Sequence, residues 1–189
     1  MIGGRIAPGL IVCYPFRMLL DARHDYSRAE RVSDAVVHVL GIGAALIAVP
    51  ILIALAIILR GDAQAVGSTT IYGLALVTML IFSALFHLTT RPRMRRVFRS
   101  LDHTAILCLI AATYTPFVLL SGADARGLLV TLWIAALSGA ALRAFAPDRL
   151  KLAAIALALG MGWAGLIGGG ALFAVLSTPV MMLITIGGV

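Results

Sequence analysis

Apolar residues come in long, nearly unbroken runs along this chain. The first covers 35–59, others follow at 68–88, 104–120 and 127–146, and a last begins at 152 and continues to Val189. Roughly twenty apolar residues carry a helix across a bilayer. The strict alternation of half-buried strands is missing, which argues against a membrane barrel. The pattern predicts an all-α, polytopic transmembrane helical bundle over 31–189. Residues 1–30 are expected to form an N-terminal segment at the cytoplasmic interface. Its apolar stretch "GLIVCYPF" is short, contains Pro15 and lacks a small-residue cleavage site, so a signal peptide is not expected.

The last run allows two arrangements. Residues 152–176 form one long tilted helix, or a fifth span ends near Gly168–Gly170 and a sixth begins around Thr178 and Pro179. The second arrangement gives five complete spans plus part of a sixth, with the chain stopping inside a helix.

Composition strengthens the membrane assignment. The chain is 61% hydrophobic and 12% charged, with a mean hydropathy of +1.06. Soluble domains are about half apolar and about a quarter charged. The net charge of +7 is unevenly placed. Five arginines precede the first span, five lie in the second loop, and Arg143, Arg149 and Lys151 sit in the fourth. The intervening loops hold only Arg60 and Arg126. This asymmetry predicts a cytoplasmic N-terminus in the inner cell membrane. Membrane lipid is the expected partner, nucleic acid is not, and a homo-oligomer is compatible with the pattern. Cys13 and Cys108 are far apart and form no CxxC motif.

Candidate chemistry gathers in "FSALFHLTTRPRMRRVFRSLDHTAI", residues 82–106. Ser83 and His87, four apart, share a helix face near the end of the second span. Asp102 and His103 are expected to open the next helix at the same depth. Ionisable groups in spans tend to face the bundle interior and to mark function. A neutral imidazole is a common metal ligand, and a carboxylate orients it or holds a metal-bound water. Bland roles stay open: each residue could reach the interface, and Asp102 could cap a helix. Glu30, Asp34 and His38, again spaced by four, form a second stripe on the first helix. Glu30 and Asp34 could simply balance the helix dipole, whereas His38 lies deeper. Ser83, His87 and Asp102 are expected to approach one another inside the bundle, with His38 joining from the first helix. Pro116, in "ATYTP" (112–116), is expected to kink the third span.

The segments "ERVSDAVVHVLG", "SALFH", "RSLDHTAI", "ATYTPF" and "GMGW" resemble, in this order and at similar separations, the motifs of the hemolysin III family. That family is similar to the progestin and adipoQ receptors and, more distantly, to the alkaline ceramidases. The similarity runs from about Tyr26 to Val189. The resemblance implies a seven-helix bundle with a zinc site near the cytoplasmic face. His87 would bind zinc, Asp102 would hold the zinc-bound water and Ser83 would line the site. Two further zinc histidines are implied in an HxxxH pattern opening a seventh helix. This chain has four histidines, none beyond His103, and "ITIGGV" resembles the middle of the family's sixth helix. The zinc site is therefore expected to be incomplete, with His38, His103, Glu30 and Asp34 as accessory candidates. Phe86 stands where the family often has Tyr, and Ala112 where Gly is frequent.

Two functional classes follow. The first is a zinc-dependent hydrolase acting on a lipid amide or ester, with Asp102 accepting the proton of the attacking water and Ser83 placing substrate. The second is a pore-forming or cytolytic membrane protein or channel. A conducting path calls for polar residues along whole spans, whereas here they cluster at one end. An interaction or lipid-homeostasis protein with a structural metal is a third option.

Overall fold

In lipid, a backbone N–H or C=O finds no water, so each segment must satisfy its own polar groups, and a helix does so. The computed structural model describes residues 28–145, 151–168, 170, 174–180 and 182. Its helices are α1 (Arg28–Leu59), α2 (Ala63–Leu88), α3 (Pro92–Leu120), α4 (Arg126–Phe145) and α5 (Lys151–Gly168). The chain divides into two compact units, residues 1–33 and 34–189. Only the first residues of α1 are described in the first unit.

Four helices are long and apolar enough to cross a membrane: Val32–Leu59, Ala63–Leu88, Pro92–Leu120 and Arg126–Arg143. Leu152–Gly165 is a shorter apolar helix. The first three exceed the roughly 30 Å hydrocarbon thickness at about 1.5 Å per residue, so they tilt or extend into the headgroups. The turn at Ala174–Leu176 rules out one unbroken helix over 152–176, and residues 178–180 and 182 are again helical. The remainder of the expected sixth helix, like residues 1–27, lies outside the described residues.

Tight connections set the antiparallel order. Gly61 adopts φ 67°, the left-handed conformation that lets the chain reverse within Arg60–Asp62. Asp62 then caps α2 by accepting the Ala65 N–H. Thr89–Arg91 connects α2 to α3, whose first residue is Pro92. Proline suits that position because its fixed φ is helical and its missing N–H would have no partner there.

α3 therefore begins ten residues before Asp102. The sequence expectation that Asp102 opens this helix, or caps it, is corrected. Hydropathy marks where the membrane starts, while Met and Arg, good helix formers, carry the helix through the basic stretch outside it.

α3 packs against α2, α4 and α5. The core joins Leu107 and Ala111 of α3, Leu132 and Ala136 of α4, and Met161 of α5. Small residues let these helices come close. A Cβ on Gly139 would lie 2.6 Å from Leu107 Cδ1 and 2.7 Å from Leu157 Cδ2. Polar clasps add direction. Trp133 Nε1 donates to Thr115 Oγ1 at 3.2 Å. Tyr114 Oη donates to the Gly162 carbonyl at 2.9 Å and accepts the Gly165 N–H at 3.1 Å, tying α3 to the backbone of α5. Aliphatic side chains such as Val37, Leu40, Ile47 and Ile58 on α1 face outward, as lipid contact requires.

Candidate functional site

The end of α2 meets the early turns of α1 at a cluster of polar side chains. His38 and Asp34 are one turn apart on α1, and Ser83 and His87 one turn apart on α2. His38 Nδ1 lies 2.6 Å from the Asp34 carbonyl oxygen. A carbonyl only accepts, so Nδ1 carries the proton, and in the neutral ring Nε2 is left as an acceptor. Ser83 Oγ stands 3.3 Å from that Nε2 and donates to it. One backbone carbonyl thus fixes the His38 tautomer, and the tautomer orients the Ser83 hydroxyl.

His87 faces the Asp34 side chain, with Nδ1 3.5 Å from Oδ2. That separation is within ion-pair range, yet Oδ2 is buried and makes no hydrogen bond. The His38 and His87 rings lie 5.1 Å apart, tilted by 35°. Phe86 meets His87 edge-on at 4.9 Å, and the Arg95 guanidinium sits over the Phe86 ring at 5.5 Å. The early turns of α3 are thereby held against the end of α2.

Asp102 is buried in α3, at 8% exposure. His103 Nδ1 donates to the Arg99 carbonyl at 2.7 Å and is 3.8 Å from Asp102 Oδ2. Among the described residues, no hydrogen bond or ion pair joins this α3 pair to the α1–α2 cluster. Ser83, His87, His38 and Asp34 are brought together, while Asp102 and His103 form a neighbouring pair. The Glu30 side chain lies outside the described residues.

Zinc needs, as a rule, three protein ligands converging on one point. Among the described residues, no group of three or more His, Cys, Asp or Glu side chains is arranged to hold a metal ion. The orphaned Asp34 Oδ2 and the uncommitted Nε2 of His87 suit part of such a site and do not complete one.

Helices of membrane-spanning length, lipid-facing aliphatic surfaces and polar side chains gathered at one end define a polytopic α-helical membrane protein. The family model described as Haemolysin-III related matches residues 26–189. The chain belongs to that family. Over 164 residues it is 34% identical to a protein named "Hemolysin-3 homolog" from Bacillus subtilis (strain 168), covering 85% of this chain and 76% of that one. Over 138 residues it is 37% identical to "Hemolysin-3" from Bacillus cereus, covering 71% of this chain and 62% of the relative. No solved structure matches the chain significantly.

Shared membrane depth foresaw that His38 would join Ser83 and His87 from the first helix, as it does, but not its specific bond to Ser83, because residues 45 positions apart have no spacing rule. The sequence pattern also missed the burial of Arg143, which it counted only as a loop charge. The Tyr114 clasp had one trace in the sequence, the glycines of "GMGWAG" (160–165), which leave backbone open to a neighbouring side chain.

Proposed function

We propose that this protein is a membrane-embedded hydrolase that cleaves an amide or ester bond of a lipid at the cytoplasmic edge of the bilayer. The supporting observation is the Ser83–His38–Asp34 arrangement beside His87: a hydroxyl oriented by an imidazole whose other nitrogen is locked to a backbone carbonyl. A site between helices at the membrane edge would meet a substrate already dissolved in the membrane. The excess of arginine on the same side supports an N-terminus in the cytoplasm of a cell with this protein in its inner membrane.

On this proposal Ser83 holds the polar part of the substrate, and Asp102 takes a proton from water as the water oxygen adds to the carbonyl carbon. The C–N or C–O bond then breaks, and the departing nitrogen or oxygen recovers the proton. Zinc, when bound, would make its water more acidic. His87 would be one ligand and Asp102 would hold the water. The described residues do not complete the site.

The test is reconstitution of the purified protein into vesicles containing long-chain N-acyl amides or esters, with release of fatty acid read by mass spectrometry. Ser83→Ala and Asp102→Asn are expected to slow release by about a hundredfold or more, and Arg126→Gln to leave it unchanged. No release from either substrate class, or release indifferent to Ser83 and Asp102, overturns the proposal. The names of the relatives favour a second reading, a lytic protein. Escape of an entrapped dye from the same vesicles without fatty-acid release would support it.

A further inference from the structure

Arg143 is the buried cation among the described residues. It is 7% exposed, and its Nε has no hydrogen-bond partner. It lies in the last turn of α4. Two contacts set the register of α4 against α3: Trp133 with Thr115, and Gly139 with Leu107. One turn further along that register, Arg143 comes level with His103, and Arg99 follows one turn beyond. The charge of Arg99 acts on Arg143, and it is of like sign. Among the described residues, neither arginine has a carboxylate within ion-pair distance.

Two guanidiniums at one helix seam, one of them withdrawn from water, repel each other unless an anion lies between them. The carbonyl end of α4 offsets only about half a unit charge. A guanidinium presents paired N–H donors that match the oxygens of a phosphate. Basic pockets between membrane helices are general receptors for lipid head groups. Exposed Arg91, Arg93, Arg95 and Arg96 at the same end add a field that concentrates anionic lipid there.

We propose that Arg99 and Arg143 form a binding site for a phosphate oxyanion, supplied in the membrane by an anionic lipid head group. This site lies on the α3–α4 seam, about one turn of α3 from Asp102, and its test reads lipid retention rather than hydrolysis.

Native mass spectrometry of the full 189-residue chain in detergent tests this. The probes are phosphatidylglycerol, phosphate-free diacylglycerol and inorganic phosphate. The chain should retain phosphatidylglycerol over diacylglycerol. Arg99→Gln and Arg143→Gln should each lower that retention by about tenfold, the worth of one charge-assisted bond. Arg93→Gln removes the same charge from an exposed position and should have little effect. If Arg143→Gln does not fold, Arg99→Gln alone carries the test. Resistance of the lipid adduct to millimolar inorganic phosphate would support the lipid as ligand. Displacement would support the same oxyanion site filled by free phosphate. Equal loss in Arg93→Gln and Arg99→Gln would reduce the effect to surface charge and overturn the site. So would full retention in Arg99→Gln.

Discussion

Gly165 is a position where one added methyl group should do measurable damage. A Cβ there would lie 2.6 Å from Tyr114 Oη and 2.9 Å from Cε1, well inside van der Waals contact. Gly165→Ala must therefore push the phenol away and break both of its bonds to α5. Hydrogen bonds between membrane helices average about 0.6 kcal/mol each, so the pair is worth about 1.2 kcal/mol. Overpacking adds about 1–3 kcal/mol, and the better helix propensity of alanine returns about 1 kcal/mol. The net cost is then about 1–3 kcal/mol. Tyr114→Phe removes the bonds without the clash and should cost about 1.2 kcal/mol. In the double variant the hydroxyl is already gone, so Gly165→Ala should cost about 1.2 kcal/mol less than it does alone. The assay is unfolding in mixed micelles by added anionic detergent, followed through Trp133 and Trp163 fluorescence, with all four proteins compared. Additivity within about 0.5 kcal/mol, the usual result for independent sites, would refute the clasp.

Three other outcomes are expected. In a background lacking Cys13 and Cys108, Met94→Cys and Asp124→Cys should label from opposite faces of the membrane, and labelling from one face would remove the basis for a common depth of the site. The purified 189-residue chain should carry well under one zinc per molecule by elemental mass spectrometry, falling further in His87→Ala; a full equivalent indifferent to His87 would place the ligands elsewhere. Trp133→Phe should cost about 0.6 kcal/mol through the lost bond to Thr115, and no change in unfolding would mean that water or lipid replaces that partner.

The spans were legible because lipid imposes a single rule on every residue of a run. The ends of the helices were less so, as α3 illustrates. Its basic first turns lie outside the apolar run, and only Pro92 marked where the helix begins. For the cluster, four-residue spacings correctly put Asp34 with His38 and Ser83 with His87, because a helix turns the same way in any setting. Which of these faces meet depends on how α1 packs on α2, and that is decided by shape: Val49 presses against Gly73, where any side chain would intrude. Arg143 was opaque for the opposite reason. A basic residue in the last turn of a helix suits the dipole whether it is buried or exposed, so its sequence position carries no sign of its burial.

The short reversal at Arg60–Asp62 turns α1 and α2 into a ruler. His38 stands 21 residues before Leu59, and Ser83 stands 20 after Ala63. At about 1.5 Å per residue, both arms measure about 30 Å, one hydrocarbon thickness. The hairpin thus delivers its hydroxyl and its imidazole to the far face of the bilayer by counting residues from a single bend. Such a device tolerates changes of side chain along either arm far better than changes of length. A residue inserted into one arm alone would shift its partner by about 1.5 Å and swing it about 100° around the helix, leaving the Ser83 hydroxyl facing a different wall.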